Sequence, residues 1–151
     1  MLSRIFPTTF DNAYRGHWLA IWILAVVALL KAIQGGKSMI TPVSTMVTAD
    51  GIPLSTFNAA AQHETIVMFA LLGMYLTVVP LIGLVALVRY RAMIPFAYLM
   101  LIAVQLGAGA INMIYEPSTG HPVGFWVNLG ILAVTLLGFV LSLVPARGAA
   151  P

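Results

Sequence analysis

Apolar residues dominate four stretches of the chain, His17 to Gln34, Glu64 to Val88, Ala92 to Tyr115 and Val123 to Val144, and no charge falls near the middle of any of them. Each is long enough to cross a hydrocarbon core about 30 Å thick, which takes roughly 20 residues at the helical rise. Turn-forming residues separate them: Gly35-Gly36, Asp50-Gly51, Arg89-Tyr90-Arg91 and Pro117-Ser118-Thr119-Gly120. The pattern predicts an all-α polytopic membrane protein, a single antiparallel four-helix transmembrane bundle over residues 1–151 with spans at 17–34, 64–88, 92–115 and 123–144. Asn58 is a good N-cap and Ala59-Ala60-Ala61 a strong helix former, so the second helix is expected to begin ahead of its apolar part and project from the membrane.

The two outer connections differ in kind, and the longer of them contrasts with the inner turn. Residues 35–63 carry Pro42 and Pro53 together with Met39, Ile40, Val43, Met46, Val47, Ile52, Leu54 and Phe57. Such an apolar loop is expected to fold back over the bundle or lie at the interface as a cap. The turn at Arg89-Tyr90-Arg91 is minimal and forces the second and third helices to be antiparallel neighbours.

Composition agrees with lipid as the solvent. Of 151 residues, 61% are hydrophobic and 7% charged, and mean hydropathy is +1.01, whereas a soluble domain carries about a quarter charged residues. The absence of cysteine excludes disulfides, thiolate metal sites, iron–sulfur clusters and thiol redox chemistry. Basic residues set the orientation. With the N-terminus inside, Arg4, Arg15, Arg89, Arg91 and Arg147 fall on the cytoplasmic side and Lys31 and Lys37 outside, so both termini are expected to be cytoplasmic in a cell inner membrane. The stretch after the first span lacks a small-x-small cleavage pattern, and that span is expected to be an uncleaved signal-anchor. The pI near 9.6 reflects scarce acids rather than a basic groove, and nucleic-acid binding is not expected.

Within the spans, polar and small residues mark the faces that meet. Gln105, Gly109, Asn112 and Glu116 form one helical stripe of the third helix beside the small Ala103, Gly107 and Ala110. His121, Asn128, Thr135 and Ser142 recur every seven residues on the fourth and mark its buried seam. Added to Lys31 and Gln34 on the first helix and His63 and Glu64 on the second, these define a candidate polar cluster toward the outer half: Lys31, Gln34, His63, Glu64, Gln105, Asn112, Glu116, His121 and Asn128. Two accounts of its ionisable members are open. Lys31 pairs with Glu64 or Glu116, or it snorkels to the headgroups while Glu64, Glu116, His63 and His121 stand in water at helix ends. Gln105 and Asn112 fit interhelical hydrogen bonding better than ligand binding.

Other chemistry finds little footing. His63-Glu64-Thr65-Ile66-Val67 lacks the second histidine of a zincin helix, and the histidines do not face each other as haem ligands would; no metal and no cofactor is predicted. The methionines share no stripe and fit gap-filling. Pro80 is expected to kink the second helix, and Pro95 to sit harmlessly in the first turn of the third. Trp18, Trp22, Tyr90, Tyr98, Tyr115, Phe125 and Trp126 are expected at the interfacial belts. Phe6-Pro7, Phe10, Asp11 and Arg15 are expected to form a short amphipathic stretch along the inner surface, with too few arginines for a polybasic lipid site.

Four spans with Leu30-Lys31-Ala32 near the outer end of the first, and a substantial loop before the second, resemble the small bacterial DoxX-like membrane proteins. The loop containing Asp50-Gly51-Ile52-Pro53-Leu54 departs from that pattern, and Arg89-Tyr90-Arg91-Ala92-Met93-Ile94-Pro95 is similar to stretches of other small bacterial inner-membrane proteins. The DoxX-like resemblance implies an accessory subunit of a membrane redox complex. No nucleophile–base pair, ligand set or phosphate cradle points to an enzyme. The expected function is a non-enzymatic subunit or accessory factor of a membrane complex, with the bilayer and a membrane-protein partner or a homo-oligomer as its contacts. The alternatives are a small homo-oligomeric transporter or channel lined by Gln105, Asn112 and Glu116, and a lipid- or quinone-binding redox component using Lys31, Glu64 and His121.

Overall fold

A computed structural model describes residues 2–9, 11–115 and 120–145. Its elements are α1 (Leu2–Ile5), α2 (Trp18–Ile40), α3 (Pro42–Thr48), a 3-10 turn (Leu54–Thr56), α4 (Ala59–Arg89), a second 3-10 turn (Arg91–Met93), α5 (Ile94–Ile114) and α6 (Val123–Leu143). Four of these helices are long and apolar enough to cross a membrane, and no strand occurs among the described residues. The fold is an all-α polytopic bundle. The four helices form a ring in which α2 packs on α4 and α6, and α5 packs on α4 and α6. Gly16 pairs with Pro145 and the His17 amide donates to Leu141 O at 3.1 Å, so the start of α2 and the end of α6 share one face, here the terminal face.

Local chemistry sets the helix ends. His17 Nδ1 accepts from the Leu19 amide at 3.2 Å and caps α2. The Asn58 side chain accepts from the Ala61 amide at 2.8 Å and caps α4 where the sequence places its start. The 31 residues of α4 make it about 46 Å long, so it overshoots the hydrocarbon core. Pro80 lies inside it and is buried. Pro95 occupies the first turn of α5, where the missing amide costs nothing.

The first helix does not stop at Gly35-Gly36. It runs on to Ile40, and the glycine that looked like punctuation is a packing residue. A Cβ on Gly73 would stand 2.5 Å from Met39 N and 2.8 Å from Gly35 O, and one on Gly35 would stand 2.9 Å from Thr77 N. The backbones of α2 and α4 therefore touch at this crossing, as small residues allow in lipid. Thr77 turns its hydroxyl back to Gly73 O at 2.8 Å, which leaves no polar atom bare at the contact. Farther along, Gly83 lies beside Ala28 and Leu24, so the antiparallel pair is in register over several turns.

The chain breaks direction at Thr41, and Pro42 opens α3. Met46 is fully buried and Leu54 nearly so, and the Gly124 amide donates to Ala49 O at 3.1 Å. The expected cap is thus a folded segment stitched to the start of α6. Val43 and Val47 remain exposed on it, as do Met39 and Ile40 at the end of α2. Asp50 is half-buried with Oδ1 close to Gly124, where a Cβ would come within 3.1 Å. Burial raises its carboxyl above the ordinary value.

The core lies toward the terminal face. Ala20, Leu24, Val27 and Ala28 of α2 meet Ala86 and Leu87 of α4 and Ile94, Ala97, Tyr98 and Leu101 of α5. Tyr98 is no belt residue: it is fully buried, its hydroxyl donates to Ala20 O at 2.7 Å across the ring, and its ring fills the space a Cβ on Gly138 would need. An aromatic near a helix start sits in the belt only if it points outward, and this one points inward. Trp18, Trp22, Tyr115 and Trp126 are exposed as expected of anchors.

Two outcomes follow. Gly73→Val should destabilise the bundle by about 1–3 kcal/mol through overpacking, whereas Gly36→Ala, with open space around its Cβ, should be neutral; denaturant titration in mixed micelles separates them. For Asp50 the folded carboxyl titrates above the unfolded one, so ionisation opposes folding as pH rises through that interval. Asp50→Asn should therefore raise the melting temperature at pH 7, and the gain should vanish below the unfolded value of about 3.9.

Candidate functional site

The polar residues of the expected cluster do not gather into one group among the described residues. Two pairs form. Lys31 Nζ donates to Asn128 Oδ1 at 2.5 Å, joining α2 to α6. Gln105 Nε2 donates to Thr135 Oγ1 and to Leu101 O, each at 3.2 Å, joining α5 to α6. Thr135 in turn donates to Ile131 O at 2.6 Å.

The expected pairing of Lys31 with Glu64 is not what the structure shows. Glu64 and His63 are exposed in the first turns of α4, where that helix projects beyond the core, while the amine of Lys31 is held lower down by an amide on α6. A helix that overshoots carries its first carboxylate out of reach of a lysine inside the span. Glu116, the other expected partner, lies outside the described residues. Asn128 is a weaker partner than a carboxylate because it offers a dipole and no charge.

The remaining members are dispersed. Gln34 is half-buried and its carbonyl accepts from Ser38 Oγ at 3.1 Å. His121 is half-buried and its ring stacks on Phe125, with centroids 4.0 Å apart and planes 12° from parallel. Asn112 is exposed on α5. The seven-residue seam of α6 holds in its half toward the terminal face, where Thr135 and Ser142 are buried. Toward the other end it opens, and Asn128 is exposed.

That opening is a property of α5 and α6 over the whole half away from the terminal face. From Leu106 to Tyr115 every residue except Gly109 is exposed, and so are residues 126–130 of α6. A Cβ on Gly107, Gly109 or Gly130 would meet nothing within 4 Å. At the edge of this surface Gln105 Oε1 is buried without a hydrogen-bond partner. The small residues that sequence reasoning placed at a helix–helix contact are thus small residues on an open face. Among the described residues no group of three or more His, Cys, Asp or Glu side chains could hold a metal ion.

No protein-family model, curated protein or solved structure matches this chain.

The Lys31–Asn128 pair has a specific signature. Asn128→Leu should cost more than the double change Lys31→Leu/Asn128→Leu, because the single change strands an amine and the double removes it. A double-mutant cycle by denaturant titration should give a coupling of about 0.6–1.7 kcal/mol, the range of membrane hydrogen bonds.

Proposed function

We propose that this protein is a non-enzymatic subunit or accessory factor of a membrane complex, resident in a cell inner membrane with both termini in the cytoplasm. The observation that carries the reading is Asn112, an exposed amide on a half-helix that no other described part of the chain covers. An amide facing hydrocarbon loses its water partners and costs several kcal/mol unless another protein group satisfies it. Gly107 and Gly109, in the turns just before it on α5, leave room for a second helix to approach backbone to backbone. Lipid has neither the donors nor the rigidity to fill that role. A membrane-spanning helix of another protein has both.

Charge supports the orientation. Arg4 bonds Leu143 O at the end of α6, and Arg91 bonds Leu87 O at the inner turn, so arginines cluster at the terminal face. Lys37 stands at the opposite end of α2.

A second copy of the chain would meet the same surface in the homo-oligomeric alternative, so the decisive experiment must read position and identity together. The chain contains no cysteine, so single cysteines at Leu106, Asn112 and Val85 can each carry a photocrosslinker in native membranes. Adducts with a different protein from Leu106 and Asn112, but not from Val85 on the lipid face of α4, are the expected result. Self-adducts alone would transfer the reading to a homo-oligomer, and adducts independent of position would remove it.

A further inference from the structure

Residues 2–9 and 11–17 cross the terminal face as a strap. It is tied down by Arg4 Nη1 to Leu143 O at 2.6 Å, by the Ala92 amide to Asp11 O at 3.3 Å, and by the Gly16–Pro145 and His17–Leu141 backbone contacts. Phe6 adds a tilted ring contact to Phe96, with centroids 5.8 Å apart. Between strap and bundle is a cavity of about 280 Å³. Its wall includes Arg4, Arg15, Asp11, Thr9, Tyr14 and Ser142.

Most of the polar groups there are already engaged. Asp11 accepts from the Ala13 amide at 3.0 Å and from Thr9 Oγ1 at 3.4 Å, so its carboxylate serves the turn of the strap itself. Tyr14 donates to His17 O at 3.1 Å and Ser142 to Phe139 O at 2.6 Å. Burial pushes the Tyr14 phenol up to about 12, so it stays a neutral donor at ordinary pH. Arg4 spends one guanidinium nitrogen on Leu143 O. Arg15 makes no hydrogen bond or ion pair among the described residues. The cavity therefore holds two cations and one carboxylate, and the cations have donor capacity to spare.

Size and position narrow the ligand. The volume is just below the range of about 300–1,000 Å³ typical of drug-sized ligands and suits a phosphate with a small attached group. The strap leads directly into α2, whose exposed Trp18 and Trp22 mark the headgroup level of that leaflet. Planar guanidinium groups match phosphate oxygens in two-pronged contacts. We propose that this cavity is a phosphate-binding site, taking the phosphate of a lipid headgroup from the adjoining leaflet or free phosphate from solution. Two arginines make a poor lipid site when spread along a surface, but a concave wall concentrates their field on one point.

Native mass spectrometry of the full chain in mild detergent tests this with three probes: phosphatidylglycerol, diacylglycerol and inorganic phosphate. The expected result is a phosphatidylglycerol or phosphate adduct without a diacylglycerol adduct, weakened about tenfold in Arg15→Gln and unchanged in Lys37→Gln on the opposite face. A lipid adduct that survives excess inorganic phosphate identifies the headgroup as the source. Binding of inorganic phosphate that displaces the lipid identifies the free ion. Arg4→Gln should weaken binding too, but it also frees the strap, so the exposed Arg15 decides the matter. Equal adducts in Arg15→Gln and the parent chain, equal binding of diacylglycerol, or no adduct with any probe would overturn the proposal.

Discussion

The bundle depends on the contact between Gly35 and Gly73. Inside a bilayer, lipid tails are as apolar as leucine, so helices gain nothing from hiding hydrophobic side chains from one another. What remains is close packing and hydrogen bonding, and both require that backbones approach. At this crossing α2 and α4 come so near that a Cβ on Gly73 would lie 2.5 Å from a backbone nitrogen of the other helix. The contact fixes the register of the most extensively packed pair in the molecule. With α2 and α4 locked, the turn at Tyr90 returns α5 beside α4, and Tyr98 reaches across to Ala20 and locks the ring.

Order achieved at that end is not matched at the other. The core clusters near the terminal face, reinforced by the N-terminal strap, whereas α5 beyond Ile102 contributes no buried residue among those described. The opening is confined to α5 and α6, which pack at the terminal face and diverge from the tightly packed α2–α4 pair toward the other end, exposing Asn112, Asn128 and small residues. The folded cap over Met46 and Leu54 closes α2 against α4 and reaches the start of α6 through Ala49, but it leaves the flank of α5 uncovered. The asymmetry leaves one flank of α5 open among the described residues and places a polar cavity at the terminal face.

Much of the fold was legible in the residues. The four spans, the Asn58 cap, the place of Pro95, the antiparallel turn at Arg89-Tyr90-Arg91 and the folding of the apolar loop all follow from local preferences that act over a few neighbours. The candidate site was legible only in part. Gln105 and Asn128 were identified as polar residues needing partners, and both have one; Thr135 was visible only as part of the α6 seam. The partner of Lys31 was not legible, because it depends on how far α4 overshoots the membrane and on which side of α6 faces α2. Glycine was the least readable residue. Gly35 carries the same letter at a turn and at a helix crossing, and only a second backbone within contact distance tells the two apart.

Hydropathy and helix length determined by themselves that this chain is a set of four membrane-spanning helices, because transfer into lipid is a property of each segment alone. The tertiary structure decided the rest: that Tyr98 points inward, that an amide rather than a carboxylate holds Lys31, that one flank of α5 stands uncovered among the described residues and that the N-terminal strap borders a cavity. Those features depend on the relative rotation and depth of helices. In lipid these are set by close packing between segments distant in sequence, which hydropathy does not encode.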